Sequence, residues 1–134
     1  SNKEPLFVFG HGLSYTTYKY SNLRLTPDKT GAAGQTTASI DITNTGRMAG
    51  DEIVQLYIRD EVSSVTRPIK ELKDFRRIHL EPGQTRTVQF VITPDKLSFL
   101  NEDMRRVVQR GLFEIMIGPS SSSDKLLKAK LEIR

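Results

Sequence analysis

The stretch Thr37-Ala38-Ser39-Ile40-Asp41-Ile42-Thr43 alternates apolar and polar side chains with a period of two. A helix repeats every 3.6 residues, so only an extended strand puts Ala38, Ile40 and Ile42 on one face and Ser39, Asp41 and Thr43 on the other. The run reads as a half-buried strand. It stops at Asn44-Thr45-Gly46, where Asn and Gly tolerate positive φ and a turn is expected.

The same pattern extends in both directions. In Ile53 to Arg59, Val54, Leu56 and Ile58 are expected inward, with Tyr57 and Arg59 outward. Glu81-Pro82-Gly83-Gln84 has the chemistry of a type II turn, Pro82 fixing φ at the second position and Gly83 supplying the positive φ of the third. It should join Arg76–Leu80 to Thr87–Ile92, whose Val88, Phe90 and Ile92 alternate inward. Pro94 to Leu97 has room for a single helical turn, and the extended residues around Asn101-Glu102-Asp103 predict a short hairpin starting at Phe99. Phe113, Ile115 and Ile117 mark a further strand. Gly118-Pro119 and the serines Ser120 to Ser123 then form a polar loop before a last strand in which Leu127, Ala129, Leu131 and Ile133 alternate with Lys128, Lys130 and Glu132. Between Lys70 and Leu80 the register is ambiguous. Leu72 and Phe75 are three apart and cannot share a face of a regular strand, whereas a β-bulge between them would reconcile the two.

With Tyr18 to Leu25 as the first strand, the chain has seven to eight strands, turn residues about every 8–12 positions and no crossover helix. Strands without crossovers form antiparallel sheets, and two such sheets bury their apolar faces against each other. The fold class is therefore all-β, an antiparallel two-sheet sandwich of immunoglobulin-like or fibronectin type III-like kind, over residues 18–134. Residues 1–17 form an aromatic lead-in. Its first residues, Ser1-Asn2, read as a cloning scar, and the chain as a fragment cut from a larger protein.

A chain of 134 residues buries roughly two-thirds of its unfolded surface, enough for one core without metal or disulfide. It has no Cys, which removes thiolate metal sites and disulfide frameworks but does not choose a compartment. No apolar run approaches the ~20 residues that span a bilayer, so membrane insertion is not expected. The net charge of +4 comes from 20 basic residues interleaved with 16 acidic ones, as in Lys70-Glu71-Leu72-Lys73-Asp74, which argues against a phosphate-binding stripe and a nucleic-acid partner.

Catalytic chemistry is mostly missing. A glycosidase needs two carboxylates flanking a sugar ring, and most acidic residues here neighbour Lys or Arg on outward phases, as on a solvated surface. Of the two histidines, His11 and His79, the latter lies on the outward phase of its strand. No Gly-x-Ser-x-Gly elbow, regular metal-ligand cluster or phosphate-cradling loop is present, so no catalytic residue, metal or cofactor is expected. A carbohydrate-binding module would present exposed Trp or Tyr for stacking. This chain has no Trp and four Tyr, three of them clustered at Tyr15, Tyr18 and Tyr20. A general protein-interaction module is compatible with the same sequence.

Two segments stand out. Pro5 to Thr17 crowds Phe7, Phe9, His11 and Tyr15 ahead of the first strand, either packed across one end of the sandwich or reserved for another domain. Asp60 to Lys70 is longer than a hairpin needs and contains Val65, Arg67, Pro68 and Lys70. These eight residues are the candidate interface.

Phe9-Gly10-His11-Gly12-Leu13-Ser14-Tyr15-Thr16 resembles the segment that, in glycoside hydrolase family 3, leaves an α/β sandwich domain and enters a C-terminal fibronectin type III-like domain. Thr43-Asn44-Thr45-Gly46, Ala49 to Tyr57, Arg67 to Phe75, Leu80 to Gln84 and Gly111 to Gly118 are similar to that domain's motifs, five in order that together with the entry segment span some 110 residues. Val8 stands where the family more often has Pro, and Asp74 where it usually has Gly. The resemblance implies a parent β-glucosidase or β-xylosidase that retains anomeric configuration, with an Asp nucleophile and an acid/base carboxylate on preceding domains. The partners it implies are the parent's own catalytic domains, with a glycoside or oligosaccharide as the parent's substrate, in the periplasm or outside the cell. Neither catalytic motif occurs in this chain.

Overall fold

The structure, a computed structural model, describes residues 16–61, 70–120 and 122–134. Seven long strands form there: β1 (Tyr18–Thr26), β3 (Thr36–Asn44), β4 (Gly50–Asp60), β5 (Glu71–Leu80), β6 (Thr85–Ile92), β9 (Gly111–Gly118) and β10 (Leu127–Ile133). Three are two residues long: β2 (Lys29–Thr30), β7 (Phe99–Leu100) and β8 (Arg106–Val107). The expected helical turn is α1 (Pro94–Leu97), with Pro94 where a missing N–H costs nothing, and β7 and β8 pair as the expected hairpin.

A three-stranded sheet in the order β1-β3-β6 faces a five-stranded sheet in the order β2-β10-β9-β4-β5. The long strands pair antiparallel. One departure from the all-antiparallel expectation is β2, which crosses to the second sheet after β1 and lies parallel to the end of β10. The core sits between the sheets: Ala38, Ile40, Ile42 and Phe90 of the first are fully enclosed by Val54, Leu56, Ile115, Ile117 and Leu131 of the second. Every inward residue read from the period-two pattern of β3, β4, β6 and β9 lies in this cluster.

Gly83 has φ +79°, and the Gln84 N–H donates to the Glu81 carbonyl at 3.0 Å, so the Glu81–Gln84 turn is type II as expected. Its role is a corner between sheets, because β5 and β6 belong to different ones. The bulge also forms: Leu56 faces Asp74 and Tyr57 faces Leu72, leaving Lys73 as the extra residue. Phe75 then faces Gln55, so Leu72 and Phe75 share the outer face of the five-stranded sheet.

Two local expectations need correction. Tyr57 is on the outward phase of β4 yet is buried, because Leu126 and Met116 cover it in a small second apolar cluster on the outer face. Asn44 and Gly46 do not use positive φ. Gly46 is required by space, since a Cβ there would come within 1.7 Å of Thr16 Oγ1. Asn44 is required by its amide. Fully buried, it accepts at Oδ1 from Thr16 Oγ1 and the Gly46 N–H, both at 2.9 Å, and donates from Nδ2 to the carbonyls of Met48 (2.8 Å) and Leu80 (3.0 Å).

Asn44→Ala strands several of these groups, and an unmet buried polar group costs about 1–3 kcal/mol, so urea unfolding should show a loss of about 2–4 kcal/mol. Gly83→Ala, which forces a Cβ into positive φ, should cost only about 1 kcal/mol in the same assay. Equal losses would mean that Asn44 is not holding the corner.

Candidate functional site

Seven of the eight candidate residues, Phe7, Phe9, His11, Tyr15, Val65, Arg67 and Pro68, lie outside the described residues. Lys70 is described, half-buried, with its ammonium 5.8 Å from the centroid of the Tyr57 ring on the outer face of the five-stranded sheet. The points where the two segments join the sandwich are fixed by the strands around them. Thr16 is bonded to Asn44 at the end of β3, and Thr17 accepts the Thr45 N–H at 2.9 Å. Glu61 donates its N–H to the Leu112 carbonyl at the start of β9. These are opposite ends of the molecule. The eleven residues of β4 separate them by about 33 Å at the usual strand rise. The two attachment points are therefore at opposite ends of the sandwich, joined along its side by the length of β4.

The outer face near Lys70 is partly apolar and partly ionic. Tyr57 donates its hydroxyl to Gln55 Oε1, and Gln55 Nε2 reaches the Pro119 carbonyl at 3.3 Å. Arg59 contacts Glu114 Oε1 through Nη2 at 3.0 Å and Nε at 3.2 Å. Further along, the His79 ring is held between two carboxylates, Nδ1 to Asp51 Oδ1 and Nε2 to Glu81 Oε2, both at 2.7 Å. As the phase of β5 predicts, His79 is a surface residue. The Asp51 and Glu81 hydrogen bonds raise its pKa. In return Asp51 is lowered, first by His79 and then by Arg77. The two carboxylates meet opposite sides of the ring, so the three groups do not converge on a metal. Among the described residues no cluster of three or more His, Asp or Glu does.

At the Thr16 end, Tyr18, Tyr20, Glu52, Asp124 and Lys125 line an open cavity of about 500 Å³. Tyr20 donates its hydroxyl to Glu52 Oε2 at 2.9 Å. Burial raises the Glu52 carboxyl against the opposing pull of the Tyr20 hydroxyl and the Ile53 N–H. Asp124, exposed, is lowered by the Ser122 hydroxyl. Two carboxyls with opposite shifts are the pattern of an acid and base pair. Here each carboxyl already accepts from a hydroxyl of the domain itself. Glu52 was legible in principle, since it shares the inward phase of Val54, Leu56 and Ile58. Tyr57 is buried, and Tyr18 and Tyr20 are half-buried along the wall of this cavity.

Two pH effects follow. Glu52 has a raised folded-state pKa, so its contribution is present below the unfolded carboxylate range and lost as pH rises through the raised value. Glu52→Gln should therefore raise the melting temperature at neutral pH and leave it unchanged or lower near pH 4. A loss at neutral pH would show that the charged form is favoured. His79, also raised, should titrate by NMR above the usual histidine value. Its stabilising contribution is complete below that usual value and disappears as pH climbs through the folded-state one. His79→Gln should flatten the pH dependence of stability in that window, and an unchanged slope would refute the ion-pair account.

A sequence model of the fibronectin type III-like domain matches residues 52–121. A β-xylosidase of Formosa agariphila is 48% identical over all 134 residues, which make up 18% of that protein. A periplasmic β-glucosidase of Salmonella typhimurium is 40% identical over 121 residues, 90% of this chain and 16% of that one. A solved β-glucosidase from Erythrobacter marinus superposes with a TM-score of 0.85 at 37% identity, over 100% of this chain and 18% of its own. The chain thus spans less than a fifth of the length of these relatives. With the two-sheet sandwich, its corner turn and the matched motifs in place, the chain belongs to the fibronectin type III-like domain family.

Proposed function

We propose that this chain is the non-catalytic C-terminal domain of a family 3 glycoside hydrolase, and that it packs on the catalytic domains of the same polypeptide and stabilises them. One observation carries the reading: the whole chain aligns at 48% identity with a small part of an enzyme about five times longer. The parent would be a retaining hydrolase of terminal β-linked glucose or xylose, the two specificities its relatives are named for. A periplasmic relative supports the same compartment, or an extracellular one, for this protein.

Within the domain, the carboxyls of the 500 Å³ cavity serve the fold: Glu52 anchors the Tyr20 hydroxyl and so ties β1 to β4. A domain of this kind contributes to catalysis through stability and orientation of its neighbours, which lets a surface far from the reacting sugar affect turnover.

Hydrolysis of a panel of chromogenic β-glycosides by this chain, by the parent and by the parent truncated before Pro5 tests the proposal. The expected result is no turnover by the chain and a marked loss of both activity and melting temperature in the truncated parent. Turnover by the chain alone, or a truncated parent with full activity and stability, would overturn it.

A further inference from the structure

One long side of the sandwich is bounded by β5 and β6, each an edge strand of its own sheet. β5 begins at Glu71, immediately after the segment containing Val65, Arg67 and Pro68. It ends at Leu80, whose carbonyl is bonded to the same Asn44 that holds Thr16. It is therefore the strand that runs from one attachment point to the other.

The side chains along β5 are not those of an edge facing only water. The bulge at Lys73 turns Leu72 and Phe75 onto one face, where they remain 49% and 60% exposed. A regular strand would have pointed them to opposite faces and buried one. Lysines and arginines suffice to keep an edge strand from pairing with other chains, whereas two adjoining exposed apolar groups invite contact. Around the border, Arg76, Arg77 and Arg86 line a groove between β5 and β6. The Arg76 guanidinium is held 5.5 Å from the Phe90 ring centroid, and among the described residues neither Arg76 nor Arg86 has an ion-pair partner. Arg76 and Arg86 stand opposite Val54 and Ile42 on the inter-sheet side, whereas Leu72 and Phe75 are on the outer face, so the two pairs meet around the β5 edge. Exposed apolar groups with arginines alongside suit a protein interface, and the arginines call for carboxylates opposite.

Resting on the accessory-domain reading, we propose that this β5 border, centred on Leu72 and Phe75 and flanked by Arg76 and Arg86, docks the domain on the catalytic part of its own polypeptide, at a surface with an apolar pocket and carboxylates. The occupant is set by connectivity. In the matched relatives more than four-fifths of the chain lies outside this domain. In this protein, chain preceding Thr16 reaches the sandwich beside the Leu80 end of β5. A tethered partner there has an effective concentration in the millimolar range, which no free protein matches.

The test is to place Leu72→Ser with Phe75→Ser, and separately Arg76→Glu with Arg86→Glu, in this chain and in the parent, and to follow unfolding by calorimetry. The 134-residue chain should keep its melting temperature within about 2 °C in the serine pair, as exposed positions do, and lose a few degrees at most in the arginine pair, where the Arg76 contact with Phe90 is removed. In the parent, either pair should lower the melting temperature by about 5 °C or more, or split one transition into two. A larger loss of stability in the chain alone would make these residues props of the sandwich and overturn the proposal. So would an unchanged parent, or concentration-dependent self-association of the chain that the Leu72 and Phe75 changes abolish. If truncation before Pro5 cripples the parent while these variants do not, only the docking face is wrong. If neither has an effect, the accessory reading fails as well.

Discussion

The side-chain amide of Asn44 fixes what the apolar core cannot. Burial of Ile40, Phe90, Leu56 and Ile117 drives the two sheets together, but the hydrophobic effect has no direction and leaves their relative rotation free. Asn44 stands at the end of β3 in one sheet and donates to the Leu80 carbonyl at the end of β5 in the other. Its backbone closes the same corner, donating to the Gln84 carbonyl at 3.0 Å and accepting from the Gly83 N–H at 2.8 Å. Four directional bonds to one enclosed amide, together with the type II turn beside it, set where the sheets meet and where Thr16 arrives.

Period-two alternation made most of the fold legible, because in a sandwich the face of each strand is decided by burial alone. That is why Ala38, Ile40 and Ile42, or Phe113, Ile115 and Ile117, could be placed without coordinates, and why the bulge could be located from the spacing of Leu72 and Phe75. Where the pattern failed, a second layer was responsible. Tyr57 has the right phase but is covered by Leu126, which arrives from a loop about seventy residues later, and no local rule contains that contact. Asn44 and Gly46 do form the expected junction, but the positive φ they tolerate is not used there. The actual requirements, an amide with two donors and two acceptor positions and a glycine without a Cβ, come from Thr16, distant in sequence.

The candidate site was less legible than the fold. Its eight residues were chosen for unusual composition, a signal that says a segment is not ordinary surface without saying what it touches. Lys70 is placed on the outer face against Tyr57, and the strands put the two segments' attachment points at opposite ends. Sequence proximity offered no warning of that separation, since topology alone decides which loops share an end. The features that connect the two ends, an edge strand with outward apolar groups and the His79 carboxylate pair, appear only when β4 and β5 are in register.

The separation of the two ends also decides how the domain carries force. Chain enters at Thr17 beside one end, and β10 finishes at Ile133 beside the other, with β1 and β10 running the same way along the sandwich. Tension between those points runs along the strands, while the ladder hydrogen bonds of β1 with β3 and of β10 with β9 lie across it. Each ladder is then loaded in shear, all of its bonds sharing the strain at once, instead of being opened from one end. Sliding either strand past its neighbour therefore requires a whole ladder to break together.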